Sequence, residues 1–328
     1  MLHQFRLHDT ARAPQAADGP EQHWPETSCY ADLWIELLHG LRLEPLAMFG
    51  FAIEQDYEGD QFTFVKPRTQ DIATLYGLSV QELTIYDTLE AHLVEQTGRG
   101  RAVLVEVNSY WLPDTAGTDY RHQHGKTTIA VTWLDTASRR LRYIHNRGCY
   151  QLADADYAGL LAPAGLAPYV EFVKTATNPL DTAALRPAAR RILRRSLNLA
   201  PLDNPIARYR GDIDQHLARL RQRGLGYFHL HAFNLPRQLG ANFELLGAHL
   251  RWLDAAGFAE AAAACGEIAA GAKALQFRLA RCVGGNRPTD LSPVLDRLTD
   301  AYDALRKGLR ERLDDAPVAR RLTAALPG

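Results

Sequence analysis

Two kinds of hydrophobic pattern follow one another along the chain. From residue 45 to about 178, short runs of β-branched and aromatic residues lie between turn residues, which is typical of strands. After residue 178 apolar residues recur every three or four positions among Ala, Leu and Arg, which predicts helices. Residues 1–22 follow neither period, and we interpret them as a mobile N-terminal arm. The pattern therefore predicts an α+β domain over 23–178 and an all-helical domain over 179–328.

The first domain is expected to open with a helix over 29–41, because Leu33, Leu37 and Leu41 recur at helical spacing after Thr27 and Ser28, which can cap it. Strands are predicted over 48–53, 61–65, 80–86, 102–107, 127–134 and 141–145, with short helices over 69–76 and 88–96. The last two strands are joined by a loop suited to a hairpin, so the sheet should be mainly antiparallel. In the second domain, helices are predicted over 182–197, 205–222, 237–255, 259–282 and 290–313.

Composition narrows the class of protein. The 328 residues carry 37 Lys+Arg against 38 Asp+Glu and are 46% hydrophobic, which excludes a disordered chain and argues against a nucleic-acid binder that relies on global charge. No apolar stretch of about 18 residues and no signal-like N-terminus occur, so we expect a cytoplasmic protein without a membrane partner. The four cysteines form no Cys-x-x-Cys pair and have no zinc-ligand spacing, so neither a disulfide framework nor a metal is expected.

One arrangement of residues fits thiol catalysis, which needs a thiolate, a histidine and a third group that orients the imidazole. Cys29 falls at a helix start, where the helix dipole favours the thiolate. His124 comes just before a predicted strand, and Asn146, His145 or Asp135 is the third residue. A cysteine followed along the chain by a histidine and then by an orienting residue is the order expected for a papain-like site. Taken alone, a cysteine on an apolar helix is more often a small core residue.

An oxyanion hole would complete such a site, since negative charge develops on the attacked carbonyl oxygen. The backbone N–H of Cys29 at the helix start is one natural donor. Papain-like sites take their second donor from a side chain shortly upstream, and His23 or Gln22 occupies that region.

Substrate recognition is assigned to residues on both sides of the loop that leads to His124. Glu106, Asp114 and Lys126 lie there, and a carboxylate would hold the α-ammonium of an aminoacyl group. Each of these carboxylates, taken singly, is more simply a solvated loop residue.

Arginines are concentrated at the start of the helical domain. Between Asp181 and Arg223 there are ten arginines, four aspartates and no lysine, a formal balance of +6 (ten minus four). We expect Arg190, Arg191, Arg194 and Arg195 to dock an acidic partner, either a carrier protein or tRNA. The alternative is structural, because arginine forms helices well and pairs with acidic residues on neighbouring helices.

Several motifs resemble a known family. They are WPETSCYADLW at 24–34, YEGDQ at 57–61, LPDTAGT at 112–118, HGKTTIAV at 124–131, YIHN at 143–146, YFH at 227–229, FEL at 243–245 and LRW at 250–252. Together they resemble the bacterial family catalogued as domain of unknown function 1839, over nearly the whole chain after residue 23. That family is more remotely similar to the N-terminal domain of the butirosin-pathway acyltransferase and to papain-like bacteriocin-processing peptidases.

The resemblance implies a papain-like fold and a transferase. Its donor would be an aminoacyl thioester on the phosphopantetheine arm of a partner carrier protein, with no bound cofactor, and its acceptor an amine on a small molecule or peptide. Carried over by position, Cys29 would be the nucleophile, His124 its base and Asn146 the orienting residue. Asn146 lies further from His124 in sequence than the peptidases usually show. The alternatives are a cysteine peptidase or amidase, an aminoacyl-tRNA-dependent transferase, and a non-catalytic carrier-protein-binding module.

Overall fold

A computed structural model of the chain describes residues 23–24, 27–64, 66–163, 165–175, 179–284 and 290–314. These residues fall into two compact units. The first unit contains residues 27–45 and 66–185, and the second contains 23–24, 46–65 and the residues from 186 on. Both units are interrupted in sequence, which differs from the contiguous division that the hydrophobic pattern predicts.

The first unit is built on one antiparallel sheet. Its strands are β1 (Ser79–Glu82), β2 (Ala102–Asn108), β3 (Lys126–Asp135), β4 (Arg140–His145), β5 (Gly148–Ala153) and β6 (Val170–Lys174). Within the described residues the sheet has six strands in the order β1-β6-β2-β3-β4-β5, and each neighbouring pair is antiparallel. The predicted α+β class is confirmed.

Helices cover both faces of this sheet. They are α1 (Cys29–Gly40), α2 (Thr69–Tyr76), α3 (Leu89–Gly98) and α4 (Asp154–Leu161). Val103, Ile129 and Tyr143 share one face and pack with Leu93 of α3 and Tyr157 of α4, so we call this the core face. Successive strand residues point to opposite faces. The other face is the α1 face, because the hydroxyl of Tyr30 in α1 donates a hydrogen bond to Glu171 of β6 at 2.9 Å.

A reciprocal cap fixes the start of α1. The Ser28 hydroxyl accepts from the backbone N–H of Ala31 at 3.1 Å. The Asp32 carboxylate accepts from the Thr27 backbone N–H at 2.9 Å and from its hydroxyl at 2.6 Å. Side-chain oxygens of this kind satisfy N–H groups that the first helical turn leaves open. The cap places Cys29 at the first helical position, as the sequence predicts.

Two of the predicted strands are wrong. Residues 48–53 lie in a 3-10 helix, Pro45–Glu54. The 61–65 run contributes one isolated bridge, between Phe62 and Tyr57, in its described part. The apolar run after Pro45 has no alternation, and a short uniformly apolar run does not distinguish a buried helix from a buried strand. The strands β5 and β6 and the helix α4 were not predicted from the sequence.

The second unit is mainly helical. Its helices are α5 (Thr182–Leu199), whose first residues belong to the first unit, α6 (Pro205–Gly211), α7 (Ile213–Ala232), α8 (Gln238–Asp254), α9 (Ala259–Gly284) and α10 (Ser292–Asp314). α9 packs between α8 and α10. The 3-10 helix Pro45–Glu54 is held by α8, since Asn242 donates to the Ala52 carbonyl at 2.7 Å and Nδ1 of His249 donates to the Leu46 carbonyl at 2.7 Å.

Breaks within the helices have local causes. The predicted helix 205–222 is divided into α6 and α7, with Asp212 between them. α7 is kinked at Gly224, whose backbone angles are φ 73° and ψ −167°, a conformation open to glycine. A π-helix, Phe233–Arg237, then leads into α8. Among the described residues, no helix combines the length and the apolar character needed to cross a bilayer.

Candidate active site around Cys29

Cys29 is half-buried at the first position of α1. The first backbone hydrogen bond of the helix runs from the Asp32 N–H to the Ser28 carbonyl at 2.9 Å. The backbone N–H groups of Cys29 and Tyr30 have no acceptor among the described residues. Unpaired N–H groups at a helix start stabilise negative charge nearby. The sulfur therefore lies beside two backbone donors that can hold an oxyanion.

His124 is exposed on the loop before β3, and two contacts orient its ring. The ring stacks on Tyr110, with centroids 4.6 Å apart and planes inclined by 20°. Its Nδ1 lies 2.7 Å from Nδ2 of Asn108, and Oδ1 of Asn108 accepts from the Tyr110 N–H at 3.2 Å. Because Oδ1 already accepts from the Tyr110 N–H, the Nδ2 amino group of Asn108 donates to Nδ1 of His124. The neutral ring is thereby held with its proton on Nε2.

Register and packing place the start of α1 at the end of the sheet where β3 begins. Nε of Arg147, in the turn between β4 and β5, lies 3.9 Å from Oδ1 of Asp32. Ala130 pairs with Ile144, so the start of β3 lies beside the end of β4 and this turn. α1 packs against β3, β4 and β5. The helix start, the His124 loop and the β4–β5 turn therefore share one end of the sheet.

The three residues proposed for catalysis are not joined to one another. Among the residues that the structure describes, no hydrogen bond links the Cys29 sulfur to His124 or Asn146. Asn146 is in the β4–β5 turn with φ 47°, a left-handed conformation that asparagine tolerates, and this accounts for its presence there. The amide that contacts His124 is that of Asn108, which the sequence reading did not single out.

The two alternatives for the third residue lie elsewhere. Asp135 caps the hairpin at the opposite end of β3, where it accepts from the Ser138 hydroxyl at 2.6 Å, and this bond lowers the pKa of the Asp135 carboxyl. His145 alternates with Tyr143 and lies on the core face of the sheet, away from α1. Neither residue reaches His124 by a hydrogen bond among the described residues.

A buried polar network occupies the core face. Nδ1 of His145 lies 2.5 Å from Oδ2 of Asp114, and Nε2 lies 2.8 Å from the Thr127 hydroxyl. The Tyr143 hydroxyl donates to Oδ1 of Asp114 at 2.5 Å. The side chains of His145 and Asp114 are only 3% and 4% exposed. Asp114 was expected to hold a substrate ammonium, but both of its oxygens are engaged within the core, which corrects that expectation.

Glu106 and Lys126, the other residues assigned to substrate binding, contact each other. The Lys126 ammonium lies 2.8 Å from the Glu106 carboxylate. Both residues lie on the α1 face, since Glu106 pairs with Thr128 and alternates with Leu104, the partner of Glu171. A substrate charge at this position would therefore compete with an existing ion pair.

The upstream auxiliary residues are divided between the described and undescribed parts of the chain. Gln22 lies outside the described residues. His23 belongs to the second unit, where its backbone N–H donates to the Glu244 carboxylate at 2.6 Å. The adjacent Trp24 N–H donates to the same carboxylate at 3.2 Å, and the Trp24 side chain is fully buried.

A second cluster beside Cys29 was missed. The hydroxyls of Tyr30 and Tyr169 donate to the two oxygens of buried Glu171, at 2.9 and 3.0 Å. The Lys66 ammonium lies 4.3 Å from the Tyr30 ring centroid and 5.3 Å from that of Tyr169. Burial and the Glu171 hydrogen bond raise the pKa of Tyr169 to about 12. The alternation of Tyr169 and Glu171 was the only signal in the sequence.

The α5 arginines largely contact their own chain. Arg190 donates to the Arg312 carbonyl at 2.7 Å and lies over the Phe258 ring. Nε of Arg194 is buried without a partner among the described residues, and Arg195 has an intramolecular contact. Arg191 is exposed. These contacts favour the structural alternative for Arg190 and Arg194.

The fold and site define a protein with a cysteine at the start of a helix on an antiparallel sheet, followed by a helical unit. Two family models match this chain. The DUF1839 N-terminal domain matches residues 13–175, and the DUF1839 C-terminal domain matches residues 182–311. The chain belongs to this family, as its motifs predict. No curated protein matches it.

Proposed function

We propose that the protein is an aminoacyltransferase in which Cys29 receives an aminoacyl group from a carrier-protein phosphopantetheine thioester and passes it to an amine. The observation that carries the proposal is the position of Cys29, half-buried at the first residue of α1 beside the unpaired N–H groups of Cys29 and Tyr30. A thiolate and an oxyanion are both stabilised at such a helix start.

The proposed reaction has two steps. In the first, the Cys29 thiolate attacks the thioester carbonyl carbon; a new carbon–sulfur bond forms, the bond to the phosphopantetheine sulfur breaks, and that sulfur leaves as a thiolate that takes a proton from water. In the second, the acceptor amine attacks the aminoacyl-Cys29 thioester, an amide forms, and the Cys29 thiolate is released. The proton of the attacking amine goes to His124.

For His124 to accept a proton, the side-chain amide of Asn108 must rotate. In the described arrangement the Asn108 amide donates to Nδ1, which leaves the proton of neutral His124 on Nε2. A half-turn of the amide would give Nδ1 an acceptor and free Nε2 to take a proton, at the cost of the 3.2 Å bond to the Tyr110 N–H. We assign this rotation to the step in which the acceptor amine arrives.

Recognition of the aminoacyl group is assigned to the α1 face. Asp114 lies in the core network, so we assign this role to the Glu106–Lys126 ion pair and the Tyr30–Glu171–Tyr169 cluster with Lys66. An aminoacyl ammonium could displace Lys126 from Glu106, since that lysine side chain is 73% exposed. An exposed ion pair contributes little to stability, so breaking it costs little free energy.

The test is capture of the acyl-enzyme. The protein is incubated with aminoacyl thioesters of N-acetylcysteamine and of a holo carrier protein, and the adduct is located by intact-mass and peptide mass spectrometry. We expect an adduct on Cys29 and none in Cys29→Ala. Cys149→Ala is the matched control, because burial raises the pKa of the Cys149 thiol to about 12 and leaves it unreactive. Transfer at the wild-type rate by Cys29→Ala would refute the proposal.

The same assay separates the alternatives. Cleavage of an amide without any thioester donor, blocked by iodoacetamide, would indicate a peptidase or amidase. Transfer only from aminoacyl-tRNA would indicate a tRNA-dependent enzyme. Carrier binding by a protein whose Cys29 does not react with iodoacetamide at neutral pH would indicate a binding module.

A further inference from the structure

One side of α7 and the first residue of the π-helix that follows it carry a line of cationic and then apolar residues, which we call the α7 stripe. Arg219 and Arg223 are one turn apart on the helix and exposed. The Arg223 guanidinium lies 3.9 Å from the Tyr227 ring centroid, so the line continues past the kink at Gly224. Leu230 and Phe233 follow at intervals of three residues, which keeps them on the same side.

The cationic end of the stripe forms no ion pair with any residue that the structure describes. Among the described residues, neither Arg219 nor Arg223 has a carboxylate within ion-pair distance. Two arginines of the second unit do form ion pairs: Arg208 bonds Asp56, and Arg210 lies 2.7 Å from Asp296.

The charge of Arg219 also acts on its surroundings. Burial, followed by the charges of His216 and Arg219, lowers the pKa of His231 to about 4. Asp212 and Asp60 also act on His216, and Asp212 accepts a hydrogen bond from the Tyr57 hydroxyl at 3.1 Å. Within the described part of the chain, neither carboxylate lies within ion-pair distance of Arg219.

The apolar end of the stripe is open to solvent. Leu230 is 63% exposed and Phe233 is 43% exposed. Phe277, on the neighbouring α9, is 58% exposed. Exposed apolar side chains beside arginines that have no ion-pair contact are typical of a surface that binds a partner.

We propose that the α7 stripe is the docking surface for the acidic amphipathic helix of the donor carrier protein. Charge complementarity selects this occupant: acidic residues of the partner helix face Arg219 and Arg223, and its apolar residues cover Leu230 and Phe233. From Arg219 to Phe233 the stripe spans about 20 Å, which suits a partner helix of about 14 residues. The identity of the partner rests on the proposed function, whereas the surface itself does not.

The test measures binding without chemistry. A fluorescently labelled holo acyl carrier protein is titrated with full-length Cys29→Ala protein, and the dissociation constant is read from anisotropy. The variants are Arg219→Gln/Arg223→Gln and Leu230→Ser. The matched control is Arg221→Gln/Arg297→Gln, which removes the same charge from exposed arginines on another side of α7 and on α10. Circular dichroism checks that all variants fold.

We expect the double stripe variant to bind at least tenfold more weakly and Leu230→Ser at least fivefold more weakly, with the control within twofold of the parent. Equal weakening by stripe and control variants, or no carrier binding by the parent, would overturn the inference. Binding of total tRNA would also overturn it if Arg219→Gln/Arg223→Gln abolished that binding and Leu230→Ser left it unchanged, because this result is expected for a nucleic-acid surface. If acyl transfer is normal and the stripe variants bind the carrier as tightly as the parent, the docking proposal fails and the transferase proposal stands. If binding depends on the stripe but no adduct forms on Cys29, the transferase proposal fails and the docking proposal stands.

Discussion

Nδ1 of His145 lies 2.5 Å from Oδ2 of Asp114, with both side chains almost fully buried. The Thr127 hydroxyl occupies the other ring nitrogen of His145 at 2.8 Å. These contacts connect the LPDTAGT, HGKTTIAV and YIHN motifs. The network therefore ties the loop that contains Asp114 to the start of β3, three residues after His124.

Asp114→Asn should destabilise the first unit. The substitution keeps the shape of the side chain but removes the carboxylate that faces His145 and Tyr143. A buried donor that loses its hydrogen-bond acceptor costs about 1–3 kcal/mol. Urea unfolding monitored by circular dichroism measures the change in the free energy of unfolding. Asp203→Asn, at an exposed position, is the control and should shift it by less than about 0.5 kcal/mol. Equal effects of the two substitutions would contradict a structural role for the network.

Two glycine substitutions should have opposite effects on the second unit. A Cβ at Gly240 of α8 would lie 2.4 Å from Nε1 of buried Trp24, whereas a Cβ at Gly266 of α9 would meet no atom within 4 Å. Gly240→Ala should therefore destabilise the protein by about 2 kcal/mol, because a packed core tolerates little added volume. Gly266→Ala should stabilise it by about 0.5–1 kcal/mol, because alanine has the higher helix propensity. Thermal unfolding of both variants measures the difference, and the same sign for both would be inconsistent with this packing.

Glu36 should make stability fall as pH rises. Burial, followed by the charge of Asp32, raises the pKa of the Glu36 carboxyl from 4.5 to about 7, against the attraction of Arg147. Between these values the folded chain holds a proton that the unfolded chain has lost, so the free energy of unfolding decreases from pH 4.5 to pH 7. Glu36→Gln removes this dependence.

Relative to the parent, Glu36→Gln should therefore be equally stable near pH 4.5 and more stable by about 1–2 kcal/mol at pH 8, a value reduced for the partial exposure of the side chain. Urea unfolding at the two pH values provides the measurement. Glu58→Gln, which is exposed, is the control and should show no such pH dependence. A pH-independent difference for Glu36→Gln would mean that the carboxyl is ionised throughout.

Asn108 should control the tautomer of His124. In the parent, donation from Nδ2 of Asn108 holds the ring proton on Nε2. Asn108→Asp replaces that donor by an acceptor, so the proton should move to Nδ1. The ¹⁵N chemical shifts of the two nitrogens of the neutral ring report this exchange. Asn146→Gly, in the β4–β5 turn, should leave the shifts unchanged, and a change there would make Asn146 the orienting residue after all.

The sequence predicts the class of fold and the place of Cys29, because both depend on local patterns. Periodicity separates the strand-rich half from the helical half, and Ser28 marks the start of α1 through capping chemistry. Hydrophobic period does not identify the 3-10 helix Pro45–Glu54, because a uniformly apolar segment has no period. β6 was missed because it pairs between β1 and β2, far from its neighbours in sequence.

The site was less predictable than the fold, for a physical reason. Which face of a strand a residue occupies depends on register, and register places Asp114 and His145 against the core while Glu106 and Lys126 lie on the α1 face. Spacing along the chain does not carry this information. The contact between Asn108 and His124 likewise depends on the pairing of β2 with β3.

The 3-10 helix Pro45–Glu54 has a consequence for biosynthesis. Its apolar side chains are buried in the second unit, and its carbonyls are held by α8, which is translated almost two hundred residues later. During synthesis this segment therefore stays exposed to solvent or bound to a chaperone until α8 leaves the ribosome. A fragment that ends between the two family domains would lack α8, so this segment would keep its apolar side chains exposed in that fragment.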